Sequence, residues 1–441
     1  MGEPGTVRTA LDAPVPSTVD LARRLDLGET TSVELVRRAL AGTEASGAVF
    51  ITLADDALRA AAASDARRAA GAPLSAIDGI PTAVKDVIDT AGLRTTMASE
   101  FFRDFVPERD AEVVADLRAA GCVIIGKTNA QEFSYGIRGD AGAFGAVPNP
   151  HDPSRVAGGS SSGSAAAVAL GIVPFAVGSD TAGSVRVPAA LCGVAGLKPS
   201  LGLIDTSGAL PLSESFDTLG LLATSAEDIE LVMRELALIR GDRAPAEPQF
   251  LALDELRSRV QDPAAGQPFD AAVELLGAGS VRLPLLDGGE VDYEELYRIV
   301  RSREAYLLHA DRVREAPEKF QPAVLRNVLS GRDVRDSEVA AAQGLIARAR
   351  ETMGEAFRPG QLLLSPTTPI LAPPLGDALS SGPLAALTVI WNVLGWPAIS
   401  VPVRVEGCPL PQSLQVIGTP GDDLAVLRGA QRIEWAFAGE G

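Results

Sequence analysis

The alternation of amphipathic helices with buried strands is the feature that most constrains this fold. In "RDAEVVADLRAAG" (residues 109–121) the apolar residues share one helical face, and the β-branched run "CVIIGKTN" (122–129) follows directly. The same order recurs where Ser164–Leu170, a helical pattern, precedes "IVPFAVGSD" (172–180). Helices that alternate with strands in this way are typical of crossover connections in an α/β sheet. We therefore predict a single large α/β domain.

Capping residues mark the first two helices. Ser17 is a candidate N-cap for a helix that stops at Gly28. Thr31 followed by Glu34 three residues later matches a capping box, and Gly42 is the predicted end of that second helix.

We interpret residues 1–441 as one domain. Within it, composition and periodicity change along the second half of the chain. Residues from about 240 to 270 are charged, Pro-rich and aperiodic, which indicates a break. Helical patterns then dominate, and we predict a mainly helical insertion at about 285–357. Strand patterns return in "QLLLSPTTPILAPP" (361–374) and "WPAISVPVRV" (396–405).

The charge balance is acidic, with 57 Asp and Glu against 39 Lys and Arg and a formal net charge of −18. Nucleic acids and anionic membranes attract basic surfaces, so we predict no nucleic-acid and no membrane partner. The longest apolar run, Ala165–Val177, is interrupted by Gly171 and Pro174 and is too short to cross a bilayer. Three scattered cysteines and the absence of a secretion-signal pattern predict a reducing, cytoplasmic location.

The chain has only two histidines, and neither lies in a metal-ligand or catalytic pattern. His151 falls in the turn "NPHDPS" and His309 in the helical stretch "AYLLHADRVRE". Without HExxH, CxxC or a His/carboxylate cluster, we predict neither a metal site nor a cofactor. If the chain is a hydrolase, its general base is therefore expected to be something other than an imidazole.

The turn "VGSDTAGSVR" (177–186) follows a buried strand and has the residues that acyl transfer needs. A turn of small residues can lift a serine hydroxyl clear of the sheet while consecutive amides point at one place. Ser184 is the candidate nucleophile. The backbone N–H groups of Thr181, Ala182, Gly183 and Ser184 are the candidate oxyanion hole.

A serine hydroxyl needs a base, and Lys85 is the candidate. It lies on the apolar strand of "DGIPTAVKDVIDTAG" (78–92), where burial favours a neutral amine. The Gly/Ser loop "GGSSSGS" (158–164) offers a hydroxyl that relays the proton, although the residues alone leave open which serine acts. Each feature alone also fits a tight connection, an anion-binding turn or a solvated strand end. A Walker phosphate loop is disfavoured, since no Gly-Lys-Ser/Thr ends the loop.

Together these stretches resemble the amidase signature family over most of the chain, from about residue 17 to about residue 403. The resemblance implies a single large α/β/α domain with a central mixed β-sheet flanked by helices. The matching stretches, in order, are "GIPTAVKDVIDTAG", "GKTNAQEFSYG", "NPHDPSRVAGGSSSGSAAAVA", "GSDTAGSVRVPAALCGVAGLKPS", "SPTTP" and "GWPAISVPV".

The resemblance implies a role for each of three residues. Lys85 corresponds to the general base and acid, Ser160 to a bridging serine held by a cis peptide bond, and Ser184 to the acylated nucleophile. Two residues depart from the usual family pattern, because Ser162 and Ala182 stand where many members have glycine. Each adds a Cβ where the turn could require a positive φ.

The implied activity is cleavage of acyl C–N bonds in small or aryl amides, extending to carbamates (urethanes) and hydrazides. One alternative is a hydrolase of ureido acids such as allophanate. A second is the glutaminase A subunit of a tRNA-dependent amidotransferase, which requires partner subunits and for which the chain is expected to be short. A binding module without catalysis is disfavoured by the intact set of Lys85, Ser160 and Ser184. The expected partner is a small-molecule amide or carbamate, and the family suggests a homodimer.

Overall fold

Eleven strands pair into one mixed β-sheet within the part of the chain that the computed structural model describes, residues 16–241, 248–284, 292–376, 383–405 and 407–438. The spatial order is β1-β3-β2-β4-β6-β5-β10-β11-β9-β7-β8. The strands are β1 (Phe50–Leu53), β2 (Pro81–Lys85), β3 (Val123–Thr128), β4 (Phe175–Asp180), β5 (Ala195–Lys198), β6 (Thr218–Ala223), β7 (Gln249–Ala252), β8 (Gly279–Ser280), β9 (Gln361–Pro366), β10 (Ala398–Val403) and β11 (Gln412–Ile417).

Helices cover both faces of this sheet. They are α1 (Thr18–Asp26), α2 (Ser32–Glu44), α3 (Ala57–Ala69), α4 (Glu112–Ala119), α5 (Ser162–Ala169), α6 (Arg186–Cys192), α7 (Ala226–Glu235), α8 (Asp254–Arg257), α9 (Pro263–Leu276), α10 (Tyr293–Glu315), α11 (Pro322–Leu329), α12 (Asp336–Ala356), α13 (Val389–Leu394) and α14 (Asp423–Ala438). Consecutive strand residues face opposite layers: Ala83 packs in the cluster of α2, α3 and α5, and Val84 in that of α1, α4 and α7. The predicted α/β/α architecture with a mixed sheet is confirmed.

Helices α1 and α2 begin where predicted, because a side chain accepts a hydrogen bond from a backbone amide in the first turn of each. The Ser17 hydroxyl accepts from the amide of Asp20 at the start of α1, and the Thr31 capping box is present at α2. Helix α2 ends at Glu44 rather than Gly42, because a glycine inside a helix lowers stability without ending it.

In the region of the predicted break, the described residues 248–270 contain regular secondary structure. Strand β7 lies within this range and pairs in parallel with β9, and helix α9 begins at Pro263. A strand of four residues is too short to show periodicity, and proline is tolerated in the first turn of a helix. Helices α10 to α12 occupy the predicted insertion, of which residues 285–291 lie outside the described residues. That these helices form an insertion in one domain stays a prediction.

The pairing of β2 with its neighbouring strands brings Lys85 and the turn after β4 to the same edge of the sheet. Strand β2 runs parallel to β3 on one side and β4 on the other. Lys85 ends β2 and Asp180 ends β4, so both lie at the same edge of the sheet. In open α/β sheets, ligands bind outside the carboxyl ends of the strands, which makes this edge the place to look for a site.

Candidate active site

Lys85 is held at the carboxyl end of β2 with its side chain completely buried. Its Nζ donates a hydrogen bond to Ser160 Oγ at 2.6 Å and another to Ser179 Oγ at 2.7 Å. The amine of Lys85 therefore lies between two hydroxyl groups, which can form hydrogen bonds with either the neutral or the charged amine.

Burial lowers the pKa of the Lys85 ammonium to about 7, although the carboxylates of Asp217 and Asp180 act to raise it. Removal of water disfavours the charged form of an amine, and the two carboxylates offset only part of that cost. Near neutral pH a large fraction of Lys85 is therefore uncharged and able to accept a proton.

The Gly/Ser loop reaches Lys85 because its backbone packs unusually closely. Gly158 has a φ of +79°, and a Cβ there would lie 2.9 Å from Pro188 Cα. The Gly159–Ser160 peptide bond is cis, as the resemblance implied. The carbonyl of Ser160 accepts from the amide of Gln131 at 3.1 Å, which fixes the loop against the segment after β3.

The turn that carries Ser184 is organised around the buried carboxylate of Asp180. This carboxylate accepts from the amides of Gly183 at 2.7 Å and Val185 at 3.1 Å. Arg186 donates to it from Nε and Nη2, both at 3.0 Å, and both side chains are completely buried. Burial acts to raise the pKa of Asp180, but the charge and hydrogen bonds of Arg186 outweigh it and hold the pKa well below its usual range. The turn is thus tied to a carboxylate that stays ionised near neutral pH.

Replacing Arg186 with methionine is expected to lower the free energy of unfolding by about 3–5 kcal/mol, because Asp180 would stay buried without its cation. Urea unfolding of the variant and the natural protein at one pH measures the difference. The control is Arg298→Met, which removes a half-exposed ion pair with Glu295 and is expected to cost less than about 1 kcal/mol. Equal losses in the two variants would contradict the structural role of the Asp180–Arg186 pair.

Three of the four amides predicted for the oxyanion hole lack an acceptor within the described part of the chain: those of Thr181, Ala182 and Ser184. The fourth, that of Gly183, donates to Asp180. Gly183 has a φ of +128°, and a Cβ there would collide with the side chain of Thr388. Glycine at this position is therefore required by both backbone conformation and space.

Ser184 lines a cavity of about 210 Å³ together with Ala182, Tyr297 and Arg301. Its side chain is almost entirely buried, with 4% of the residue exposed. The amide of Ser161 donates to the Ser184 carbonyl at 3.1 Å, so the two small-residue turns are joined directly. Within the described residues, no hydrogen bond joins the hydroxyls of Ser184 and Ser160, whereas Ser160 and Lys85 are bonded.

A second cavity of about 420 Å³ adjoins the first, since Ser134 and Leu212 line both, and Ser179, Thr181 and Asp217 contribute to its wall. Asp217 accepts from the Thr181 hydroxyl at 2.6 Å. Burial raises the pKa of Asp217 to about 6, although the hydrogen bond from Thr181 and the charge of Lys85 act to lower it.

Sequence reasoning missed Ser179 and Arg301. Ser179 reaches Lys85 because β2 and β4 are parallel neighbours, with Val84 opposite Val177. Alternation along "VGSD" places Ser179 on the face opposite Gly178, but only the strand order reveals that this face meets Lys85. Arg301 gave no signal beyond its place on a helix.

The two departures from the family pattern cause no backbone strain. Neither Ser162 nor Ala182 has a positive φ. Ser162 is the first residue of α5, where an L-residue is accommodated, and Ala182 keeps its backbone amide. The Cβ atoms of Ser162 and Ala182 are therefore compatible with the backbone conformation of the two turns.

The histidines contact other parts of the molecule. His151 Nε2 lies 2.9 Å from the carbonyl oxygen of Cys192, and the His309 ring packs on Phe133 at 4.4 Å between centroids. Among the residues described, no group of three or more His, Cys, Asp or Glu side chains is placed to hold a metal ion. Over the same residues, we find no helix that is both long and apolar enough to cross a membrane.

Comparisons with known proteins identify the family of the chain. The family model described as Amidase matches residues 32–261 and 299–427. The glutamyl-tRNA(Gln) amidotransferase A subunit of Agathobacter rectalis is 32% identical, with 95% of this chain and 93% of the relative covered. The protein of the same name from a Roseiflexus species is 36% identical, with 93% and 94% covered. A crystal structure of an amidase superposes with a TM-score of 0.88 at 32% identity, covering 96% of this chain and all of the other.

The family model, the relatives and the superposed structure thus all indicate the same family, and together they cover nearly the whole chain. The chain belongs to the Amidase family, the amidase signature enzymes, and is a hydrolase that acts on carbon–nitrogen bonds.

Proposed function

We propose that the chain hydrolyses an amide through an acyl-enzyme on Ser184, with Ser160 and Lys85 relaying the proton. The observation that carries this proposal is the completely buried Lys85, whose Nζ donates to Ser160 Oγ at 2.6 Å. A serine hydroxyl is a weak nucleophile unless a base takes its proton, and an amine with a pKa of about 7 is suited to that task near neutral pH.

In the acylation step, Ser184 Oγ bonds to the amide carbon while its proton passes to Ser160, whose own proton passes to neutral Lys85. The C–N bond then breaks, and the proton returns by the same path to the leaving nitrogen. Water repeats the sequence and releases a carboxylic acid from Ser184. The hydrogen bond between Ser160 and Ser184 is expected to form when substrate fills the cavity, since catalytic hydrogen bonds often tighten only in the complex.

The developing negative charge on the carbonyl oxygen requires donors. The amides of Thr181, Ala182 and Ser184 serve as the oxyanion hole in this proposal, because they have no acceptor within the described residues. Gly183 belongs to the same turn, but its amide contributes by holding Asp180.

The relatives favour the glutaminase alternative over the small and aryl amides first expected. The two curated relatives reported above are both A subunits of glutamyl-tRNA(Gln) amidotransferases, and the alignments cover 93% and 94% of their length. Because the alignments span nearly the whole length of these relatives, the length of the chain does not exclude this role. We propose a primary amide of the glutamine type as substrate. Hydrolysis of aryl amides and carbamates is the second candidate, supported by the likeness to the amidase structure. Homodimer assembly and a cytoplasmic location stay predictions.

A fluorophosphonate probe followed by mass spectrometry tests the catalytic proposal, and the expected single label is on Ser184. A label on another residue would overturn the proposed nucleophile. Initial rates of the purified chain with L-glutamine, benzamide, ethyl carbamate and allophanate then rank the substrates. Faster turnover of benzamide than of L-glutamine would favour the second candidate.

Ser179→Ala is expected to lower kcat about 10-fold, because the Ser179 hydroxyl accepts an Nζ hydrogen and so holds the amine of Lys85 against Ser160. Loss of this acceptor disfavours the ammonium further, so the midpoint of the pH–rate profile is expected to move to lower pH. Steady-state kinetics across pH measure both effects. A fall in kcat with an unchanged midpoint would assign Ser179 a merely structural role.

A further inference from the structure

One wall of the 210 Å³ cavity beside Ser184 carries an arginine without an acidic partner among the described residues. Helix α10 contributes Tyr297 and Arg301 to this wall, and Tyr135 and Asn327 lie beside them. The two neighbouring arginines of the same helix are paired, Arg298 with Glu295 and Arg303 with Asp336. Arg301 has no ion pair with any described residue, although the chain has 57 Asp and Glu.

Two aromatic rings hold the Arg301 guanidinium in place. Its Cζ lies 4.7 Å from the centroid of the Tyr135 ring and 5.0 Å from that of Tyr297. Its Nε is buried and has no hydrogen-bond partner in the described part of the chain. Contacts to aromatic faces leave the edges of a guanidinium, where all five N–H groups point, open for an acceptor.

Glu304 and Asp217 are acidic side chains near the Arg301 wall of the cavity, but each accepts hydrogen bonds from other groups. Glu304, one turn along α10, accepts from the hydroxyls of Ser213 and Ser215. Asp217 accepts from the Thr181 hydroxyl and from the amides of Leu212 and Ser213. A buried donor without an acceptor is costly, so an Nε that has no partner among the described residues and lies beside an open cavity points to an external acceptor.

We propose that Arg301 binds a free carboxylate on the substrate while Ser184 attacks an amide carbon at the other end of the same small molecule. This inference rests on the proposed function of Ser184 and narrows the substrate class. A planar guanidinium matches a carboxylate through two parallel hydrogen bonds, which favours this acceptor over a neutral group. The substrate is a compact monoamide of a dicarboxylic acid or a related amide that bears one carboxylate. L-glutamine and allophanate are two members of this class with different spacing.

Paired substrates test the inference in the full chain. Glutaramate carries a free carboxylate, and glutaramide has the same length but a neutral amide in its place. We expect kcat/KM for glutaramate to exceed that for glutaramide by about 100-fold, the discrimination that one charged hydrogen-bonded pair supports. L-glutamine and allophanate, assayed in the same way, identify which spacing and which additional groups the cavity accepts.

Arg301→Met is expected to remove this preference and to raise KM for glutaramate more than it lowers kcat. Arg301→Lys keeps the charge but loses the two-pronged geometry, so an intermediate preference is expected. Arg298→Met is the matched control, because it removes a positive charge from the same helix at a half-exposed, paired position. An unchanged preference in Arg301→Met, or an equal loss in Arg298→Met, would overturn the inference.

Labelling of Ser184 separates the two proposals. If a fluorophosphonate does not label Ser184 in the natural protein, the proposed function fails. If Ser184 is labelled but glutaramate is neither hydrolysed faster than glutaramide nor more protective against labelling, only the role of Arg301 fails. Preferential protection by glutaramate, lost in Arg301→Met, supports the inference even where turnover is slow.

Discussion

Ser184→Ala is expected to abolish acyl-enzyme formation and to lower amide turnover by about 10⁴-fold or more. The alanine keeps the backbone amide at position 184 but removes the only oxygen that we place in the attack. Mass spectrometry after exposure to a fluorophosphonate, and initial rates with the best amide found, measure the two losses.

Ser162→Ala is the matched control for this prediction. The Ser162 hydroxyl is buried near the same turns but has no hydrogen-bond partner among the described residues. Its removal is expected to leave labelling and turnover close to those of the natural protein. Persistent labelling or turnover in Ser184→Ala would mean that another residue is acylated.

Lys85→Met is expected to lower kcat by about 10³-fold, because it removes the amine that is bonded to Ser160 and takes its proton. Methionine has a similar length and suits an apolar, buried position, so the loss is chemical rather than structural. Steady-state kinetics measure the loss in kcat, and unfolding curves at several pH values check the fold.

The same variant makes a prediction about stability with a definite sign. The pKa of Lys85 is about 7 in the folded protein and near its ordinary value of 10.5 in the unfolded chain. Between these values the unfolded state binds more protons, so the contribution of Lys85 to stability rises with pH. Lys85→Met is therefore expected to be more stable than the natural protein at pH 7, with a difference that shrinks toward pH 10.5. A variant that is less stable at pH 7 would indicate that Lys85 is charged and paired.

Local sequence patterns indicate more of the candidate site than of the complete sheet. Local patterns identified β2, β3 and β4, because each is a buried run bounded by turns or by an amphipathic helix. Strands β6 and β11 escaped prediction. Strand β6 pairs antiparallel with β4, and β11 pairs antiparallel with β9 as well as with β10, the strand directly before it. The partners β4 and β9 lie about 40 residues away along the chain, and no local turn signals those two pairings.

The same limit applies within the site. Lys85 and Ser184 were identified because burial and small-residue turns leave local signatures. Ser179 and Arg301 were not, because their partners come from elsewhere in the chain: Lys85 from the neighbouring strand, and Tyr135 from the segment after β3. Contacts that depend on strand order or on packing between elements are not encoded in a local pattern.

The account depends on an uncharged Lys85 activating Ser184, and the pH dependence of Ser184 labelling by a fluorophosphonate tests this most directly. We expect the second-order rate constant to rise from about pH 5 to about pH 9 through a midpoint near 7, because only the neutral amine accepts a proton. The midpoint is expected to disappear in Lys85→Met, which distinguishes Lys85 from Lys198, whose pKa burial also lowers to about 7. A rate constant that is flat or falls with rising pH, or a midpoint that persists in Lys85→Met, would contradict the account.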